Sequence, residues 1–349
     1  MVKSERIIAT PPGATIKEQL EDRGMSQKEF AERMDMSPKH ISRLINGEVL
    51  LTTDMAIRLE MVLGIPAQFW CKLEAIYREK LARVLMERQI EAEIVEAKKF
   101  PYNKMVQHGW VPDAPAVQDR VVILKKFFEV VDLEMVNGPL QPKIACRRQN
   151  ESEKADYALL AWAQKAKLEA RNIETAKVDT EKLWKVLTEI RSMTRMSPEA
   201  FCPRITKLLA NCGIAIVFLP HIGGSFLNGA TFRDKDKIVL GVTVRGKDAD
   251  KFWFSLFHEI GHILFGHLSN NDGLTAEDEK RADSFAKDAL IPDEVFSRFV
   301  SSRMFSKESI MQFADRIGID AGIVVGRLQK EKYIPYSWHQ DLKTQYIIS

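Results

Sequence analysis

The sequence predicts a mostly α-helical protein of the α+β class. Short capped helical patterns fill the first 78 residues, and further helical patterns follow to about residue 211. The periodicity then changes to that of short strands, and a helix with the pattern H-E-x-x-H comes after them. These observations predict an all-α N-terminal domain, a helical middle region and a C-terminal domain with a small antiparallel sheet.

The composition fits a folded protein of the reducing cytoplasm. The 349 residues are enough for two or three domains, and 45% hydrophobic with 28% charged residues argue against a disordered chain. The four cysteines form no C-x-x-C pair, which argues against a disulfide framework or a zinc ribbon. The sequence shows no signal peptide and no membrane-spanning run, so we expect a cytoplasmic location and no membrane partner.

The first 78 residues carry the pattern of a helix-turn-helix. Ser26 begins one short helix, with Glu29 in position for a capping box, and Ser37-Pro38 begins the next. Ala31 is small where the two helices would cross, and Met36 fills the turn. The residues predicted to face DNA are Gln27, Lys28, Lys39, His40, Ser42, Arg43 and Asn46.

The charge of this region bears on how it would bind. Residues 1–78 hold 11 basic and 11 acidic side chains, so attraction to double-stranded operator DNA must come from a local patch. A homodimer would double the phosphate contacts, and we therefore expect one. The alternative is a small helical bundle that contacts protein instead of DNA.

The predicted domain limits follow the changes of pattern. Residues 1–78 form the helix-turn-helix domain, 79–200 a helical middle region, and 201–349 the domain with the H-E-x-x-H helix and a C-terminal helical unit. Strands are predicted near residues 213–219, 230–232 and 237–244. Four turn residues between the last two strands predict a hairpin.

A zinc site is predicted on the helix that begins near Ala249. His258 and His262 lie one turn apart on one face, where two imidazoles can bind the same zinc ion. Zinc lowers the pKa of a bound water to about 7. Glu259 lies on the flank of this face, where its carboxylate can take a proton from a water molecule that attacks a peptide carbonyl.

The third zinc ligand is predicted on the next helix. Glu279 begins a helical segment that can pack antiparallel to the first, and Asp283 follows one turn later, where it can accept a hydrogen bond from a zinc-binding histidine. The alternative ligand is His267. Its spacing does not fit the metzincin pattern, so we expect it at the helix end or on the substrate side. Arg245 and His221 are the residues considered for the oxyanion donor.

The C-terminal region repeats the spacing of the N-terminal motif. Apolar positions separated by 5, 5 and 4 residues occur twice, at Ala31, Met36, Ile41 and Ile45 and at Ala314, Ile319, Val324 and Leu328. The positions that would read DNA in the second unit are uncharged, namely Gly322, Val325 and Gly326. We expect this unit to be structural or to pack on the metal-binding domain.

These residues resemble two families. Residues 11–80 are similar to HigA-type XRE antitoxin repressors through Pro12-Gly13, the helix-turn-helix, Asn46-Gly47-Glu48 and Phe69-Trp70. Residues from about 200 to 330 resemble the ImmA/IrrE metallopeptidases through the run 252–262, the Glu279-x-x-Ala282-Asp283 group and residues 289–292. The resemblance implies a zincin-like fold with His258, His262 and Glu279 as zinc ligands and Glu259 as the catalytic acid/base. It also implies an association with the cleavage of XRE-type repressors.

Three functions follow from these expectations. In the first, a DNA-binding transcriptional regulator carries a zinc peptidase domain that cleaves a repressor or itself in a stress, phage or toxin–antitoxin circuit. In the second, a HigA-like antitoxin or repressor uses its zinc domain to bind a toxin or another partner, or to sense a ligand, without proteolysis. In the third, a general metallopeptidase uses the N-terminal domain only for dimerisation.

Overall fold

The predicted fold class is confirmed. The computed structural model describes residues 2–3, 8–138, 153–222, 229–243, 248–269 and 274–346. Most of these residues are helical, and a small three-stranded sheet lies in the C-terminal half. The chain divides into two compact units, residues 1–94 and 95–349. The limits at residues 78 and 200 stay predictions.

The first unit is an all-helical bundle that follows a short two-stranded ladder. Val2–Lys3 (β1) pairs antiparallel with Ile8–Ala9 (β2). The helices are α1 (Pro12–Asp22), α2 (Gln27–Arg33), α3 (Pro38–Ile45), α4 (Thr53–Leu63) and α5 (Ala67–Ala97), the last of which extends into the second unit. Apolar side chains from all five helices form one core, including Ile16, Phe30, Ile41, Leu59 and Trp70.

Side-chain caps determine where these helices begin. The hydroxyls of Ser26, Ser37 and Thr52 accept hydrogen bonds from backbone amides in the first turns of α2, α3 and α4. The expected capping box at Ser26 is only half formed, because the Glu29 carboxylate pairs with Arg33 instead. The starts of the three helices are therefore set locally by the sequence.

The helices α2 and α3 form the predicted helix-turn-helix. Ala31 is fully buried, and the Met36 amide donates to the Ala31 carbonyl over 2.9 Å to close the turn. Helix α1 packs on the end of α3 at Gly13, where a Cβ would stand 2.0 Å from the Ile45 carbonyl oxygen. Glycine at this position therefore permits the close approach of the two helices.

The second unit surrounds its sheet with helices. The strands are β3 (Ile214–Phe218), β4 (Gly229–Asp234) and β5 (Lys237–Val242). The helices are α6 (Tyr102–Gln107), α7 (Val117–Phe128), α8 (Glu153–Ala170), α9 (Thr180–Ser192), α10 (Pro198–Ala210), α11 (Ala249–Leu264), α12 (Ala276–Leu290), α13 (Asp293–Ser301), α14 (Lys307–Ile317) and α15 (Ala321–Lys330). No helix among the described residues is long and apolar enough to cross a membrane.

The sheet is mixed, whereas the sequence indicated an antiparallel one. The strand order is β3-β5-β4, in which β4 and β5 form the predicted antiparallel hairpin and β5 also pairs in parallel with β3. Both β3 and β5 are buried along almost their whole length. Strands covered on both faces read as continuous apolar runs, so their direction does not show in the sequence.

Helix α11 is anchored along its length inside this unit. It contacts β4 and β5, and the chain after α15 binds its N-terminal end. The Ala249 amide donates to the Thr344 carbonyl over 2.9 Å, and the buried Trp253 indole donates to the Tyr346 hydroxyl over 2.9 Å. The helix that carries the histidines is therefore a core element.

The helices α14 and α15 have the turn that their spacing indicates. The Ile319 amide donates to the Ala314 carbonyl over 3.1 Å, which repeats the turn hydrogen bond of the N-terminal motif. This C-terminal pair therefore has a helix-turn-helix geometry of its own.

The face of α15 that would read DNA is covered, as expected. Gly322 and Val325 are buried, and a Cβ on Gly326 would stand 2.2 Å from a carboxylate oxygen of Asp250 in α11. The C-terminal pair thus packs on α11, the helix that carries His258 and His262.

Helix α8 packs on the sheet through a close ring contact, and Gly241→Ala should disrupt it. A Cβ on Gly241 would stand 2.3 Å from the ring of the fully buried Trp162, and overpacking of this kind costs about 1–3 kcal/mol. Urea unfolding followed by circular dichroism measures the loss. Adding Trp162→Phe, which removes the clashing ring atoms, should recover part of the free energy that Gly241→Ala loses. An unchanged unfolding midpoint in Gly241→Ala would contradict the contact.

Candidate metal centre

The close packing of α11 on α12 brings the predicted ligands together. The two helices approach closely at Gly261, where a Cβ would stand 3.3 Å from Cα of Ala282 and 3.0 Å from the Phe285 ring. A larger residue at this point would push α12 outwards. Gly261 therefore sets the distance between the histidines of α11 and the carboxylates of α12.

The side chains of His258, His262 and Glu279 converge. The two histidine Nε2 atoms are 3.0 Å apart, and the Glu279 oxygens lie 3.6 Å from His258 Nε2 and 3.5 Å from His262 Nε2. One ligand atom from each residue lies within 4.8 Å of the other two. Within the part of the chain that the structure describes, no other group of His, Cys, Asp or Glu side chains meets this condition.

This spacing suits a tetrahedral zinc ion. Zinc–nitrogen distances of 2.0–2.1 Å place two ligands of one tetrahedron about 3.3 Å apart, and the three observed separations lie on either side of that value. Both Glu279 oxygens are buried, and no described donor makes a hydrogen bond to them. A buried carboxylate of this kind is costly unless a cation compensates it.

Asp283 supports His258 from the side opposite its ligand atom. Its Oδ1 lies 2.8 Å from His258 Nδ1. A proton on that nitrogen would leave the Nε2 lone pair for a metal. Burial lowers the pKa of His258, but the bond to Asp283 and the charge of Glu259 outweigh it, so the pKa is raised overall. The position of Asp283 is compatible with the hydrogen bond expected of it, and that role stays a prediction.

His267 lies just after α11, buried against His262. Its Nδ1 is 2.9 Å from His262 Nδ1, and its Nε2 is 3.2 Å from Asp278 Oδ1. With His262 Nε2 turned to a metal, His262 Nδ1 would carry the proton and donate to His267 Nδ1, which leaves the His267 proton on Nε2, the nitrogen nearest Asp278. Asp278 also caps α12, because its other oxygen accepts from the Thr275 amide over 3.0 Å.

Glu259 is a buried carboxylate between α11 and β4. The Thr231 hydroxyl donates to Glu259 Oε2 over 2.5 Å, and a Cβ on Gly229 would stand 2.9 Å from Glu259 Cγ. Burial raises the pKa of Glu259, while His258, His262 and the bond from Thr231 oppose that rise. A carboxylate with a raised pKa can both accept and return a proton near neutral pH.

Two residues of the site, Thr231 and Asp278, are absent from the predicted set. Asp278 has a sequence signal, because Thr275 stands three residues before it in a capping-box pattern. Thr231 has none, since its role depends on which strand lies beside α11. Of the two candidates for the oxyanion donor, His221 is half-buried after β3, and Arg245 lies outside the described residues.

The predicted DNA-facing residues lie mainly on the surface of the first unit. Six are exposed and His40 is half-buried; the exposed ones are Gln27, Lys28, Lys39, Ser42, Arg43 and Asn46. Arg43 Nε lies 3.5 Å from the Glu48 carboxylate, and these side chains are 50% and 55% exposed. An exposed pair at this distance contributes little free energy, so Arg43 can leave Glu48 for a phosphate or base at small cost.

Two protein-family models match the chain. A helix-turn-helix model matches residues 16–70, and a peptidase-family model, the IrrE N-terminal-like domain, matches residues 227–329. The second match includes β4, β5, α11 and α12, and so the whole metal centre.

Curated relatives include small bacterial regulators. The chain is 41% identical over 63 residues to the "Uncharacterized HTH-type transcriptional regulator YddM" of Escherichia coli K12, which is 18% of this chain and 67% of that protein. It is 35% identical over 75 residues to the similarly described YbaQ of the same strain, 22% of this chain and 66% of YbaQ. It is 31% identical over 75 residues to "Virulence-associated protein I" of Dichelobacter nodosus, 21% of this chain and 69% of that protein. This chain thus spans about two thirds of each relative.

Metal retention should depend on both helices of the centre. We expect about one zinc per chain in the wild type after dialysis, and none in Glu279→Ala, which removes a ligand. His267→Ala should weaken the zinc Kd by about 10–100-fold, because it removes the acceptor for His262 Nδ1–H. His267→Asn, which keeps an acceptor oxygen, should restore part of the loss.

Elemental analysis and titration with a competing chelator give these values. Glu277→Gln, an exposed carboxylate in the first turn of α12, is the matched control and should retain zinc normally. A wild-type chain that retains no zinc would contradict the centre. Equal zinc Kd in the wild type and His267→Ala would contradict the role given to His267.

Proposed function

The chain belongs to the helix-turn-helix transcriptional regulators and carries an IrrE-like peptidase-family domain, and from this premise we propose that it couples DNA binding to zinc-dependent proteolysis. The XRE-type domain binds double-stranded operator DNA. The second unit is an endopeptidase that cleaves a repressor protein or this chain itself, in a stress, phage or toxin–antitoxin circuit. Both activities place the protein in the cytoplasm with DNA.

The observation that carries the proposal is the convergence of three metal ligands beside a buried carboxylate. His258, His262 and Glu279 would hold the zinc ion, which when bound polarises a substrate carbonyl and lowers the pKa of water. Glu259 takes the proton of the attacking water and returns it to the leaving amine. Thr231 orients that carboxylate through its hydrogen bond.

The substrate is proposed to be an extended polypeptide segment. Strand β4 is at the edge of the sheet among the described residues, and Glu259 packs against its first residues. A strand edge offers backbone hydrogen bonds to an extended chain, whatever its side chains are. A flexible segment of a repressor fits this requirement better than a folded surface does.

The DNA-binding form is proposed to be a homodimer. The region is neutral overall, so two copies are needed to collect enough phosphate contacts. Helix α4 exposes Ile57 and Met61 one turn apart, at 45% and 79% exposure. Exposed apolar side chains on one helix face are typical of a surface that is covered in an assembly.

A HigA-like antitoxin or repressor without proteolysis is the second candidate. It is favoured by the relatives, two of which are described as transcriptional regulators and none of which aligns with more than 22% of this chain. In this case the zinc domain binds a toxin or senses a ligand. The variant Glu259→Gln, described next, separates the two candidates.

Glu259→Gln should abolish cleavage while leaving zinc content unchanged. Removing a general base typically lowers the rate by about 10²–10⁴-fold, and Gln keeps the shape and the Thr231 contact. The zinc-loaded chain is incubated alone and with a co-encoded protein, and the products are identified by intact mass. Glu277→Gln is the control. Equal cleavage by wild type and Glu259→Gln would contradict the peptidase, and no cleavage by either would favour the second candidate.

Arg43→Ala should weaken operator binding, and Glu48→Gln should strengthen it. Loss of a base or phosphate contact costs about 1–3 kcal/mol, and removing the Glu48 charge frees the Arg43 guanidinium. Fluorescence anisotropy with the DNA upstream of the coding region gives the Kd at fixed salt. Arg83→Ala, on the exposed surface of α5, should have no effect. Unchanged Kd values in Arg43→Ala and Glu48→Gln would contradict the placement of α3 on DNA.

A further inference from the structure

A cleft of about 390 Å³, separate from the three candidate metal ligands, lies between α11, α12, α15 and the chain that follows α15. Its volume is within the range of small-molecule sites, roughly 300–1,000 Å³. None of the three metal ligands lines it. Apolar side chains form part of its wall, namely Phe254, Leu290, Ile291 and Ile323.

Two buried oxygen atoms in the walls of this cleft accept no hydrogen bond from any residue that the structure describes. They are Asp250 Oδ1 and Gln329 Oε1. Gln329 is 1% exposed, and the Asp250 side chain is 10% exposed. Their other polar atoms are satisfied: Asp250 Oδ2 pairs with Lys343 at 2.9 Å, and Gln329 Nε2 donates to two carbonyls. A buried acceptor without a donor costs about 1–3 kcal/mol, so a ligand with donor groups would be stabilised here.

The cleft also holds positive charge that its own acidic side chains do not balance. Five basic and three acidic side chains line it. Lys251, Arg327 and Lys343 have carboxylate partners. No carboxylate among the described residues forms an ion pair with Lys287 or Lys330, which leaves these two ammonium groups for an anionic ligand.

We propose that this cleft binds a nucleotide. The base supplies N–H donors for Asp250 and Gln329, and the phosphate supplies negative charge for Lys287 and Lys330. The aromatic rings of Phe254 and Tyr336, which also line the cleft, suit the face of a base. A free phosphate or a dicarboxylate has the charge without a flat base and its N–H donors, and so fits only half of the site.

The cleft shares one side chain with the metal centre. Asp283 lines the cleft, and its Oδ1 lies 2.8 Å from His258 Nδ1. A nucleotide that changes the position of Asp283 changes the support of His258, so we infer that nucleotide and zinc alter each other's affinity by the same factor. This coupling rests on the proposed metal centre, whereas nucleotide binding itself does not.

Calorimetric titration of the metal-free full chain tests the binding. The probes are the four ribonucleoside monophosphates, their triphosphates and inorganic phosphate. We expect at least one nucleotide to bind one per chain with a Kd below about 100 µM, well below the Kd of phosphate. Lys287→Gln and Lys330→Gln, both on the cleft surface, should each weaken the Kd by about tenfold, or about 1.4 kcal/mol. Lys185→Gln, an exposed lysine of α9 outside the cleft, should not.

Three results would overturn the proposal. They are the absence of binding by every nucleotide, equal binding in the lysine variants and the wild type, and phosphate binding as tight as that of the best nucleotide. Gln329→Leu adds a check on the donor face: it should weaken the nucleotide Kd without affecting phosphate, provided its thermal unfolding matches the wild type. The zinc Kd is then measured with and without nucleotide, and an unchanged value would overturn the coupling alone.

Discussion

The contact between α11 and α12 at Gly261 is the constraint on which the metal centre depends. The histidines of the centre contact the carboxylates of α12 across this interface, whereas Glu259 is held by β4. His258 meets Asp283 directly, while His262 reaches Asp278 through His267. Each Nδ1 thus has a neighbour, a carboxylate oxygen for His258 and an imidazole nitrogen for His262. Because hydrogen bonds depend on distance and angle, a shift of α12 would alter the contacts of Asp283 and Asp278 together.

The position of α11 is itself fixed by the core rather than by the ligands. Most of its residues are buried, and its contacts extend from the sheet to the chain that follows α15. The carboxylate of Glu259 is held from the strand side and the imidazoles from the α12 side. Helices α11 and α12 share one hydrophobic core with β3 and β5, and β4 contacts α11 directly. Such a site is preorganised, which is the condition under which a buried carboxylate and a metal act most effectively.

Much of this arrangement can be read from the sequence because its signals are local. The caps at Ser26 and Ser37 and the four-residue spacing of His258 and His262 each depend on neighbours along the chain. The parallel pairing of β3 with β5 could not be read, since both strands are continuous apolar runs. The contact of Thr231 with Glu259 depends on how strand and helix are placed in space. The position of His267 behind His262 depends on the turn after α11, which spacing alone does not specify.

The covered face of α15 has a consequence for protein engineering. The pair α14 and α15 has the backbone turn of a DNA reader, so a designer could be drawn to transplant the exposed basic residues of α3 onto it. Any side chain at Gly326 would meet the Asp250 carboxylate, and one at Gly322 would meet the chain that follows α15. The added side chains would disrupt the packing of α15 on α11, and the grafted helix would still have no exposed face for DNA. The backbone geometry of a helix-turn-helix therefore does not by itself provide an exposed recognition helix. Helix α3 in the first unit is exposed on that face, whereas α15 is covered.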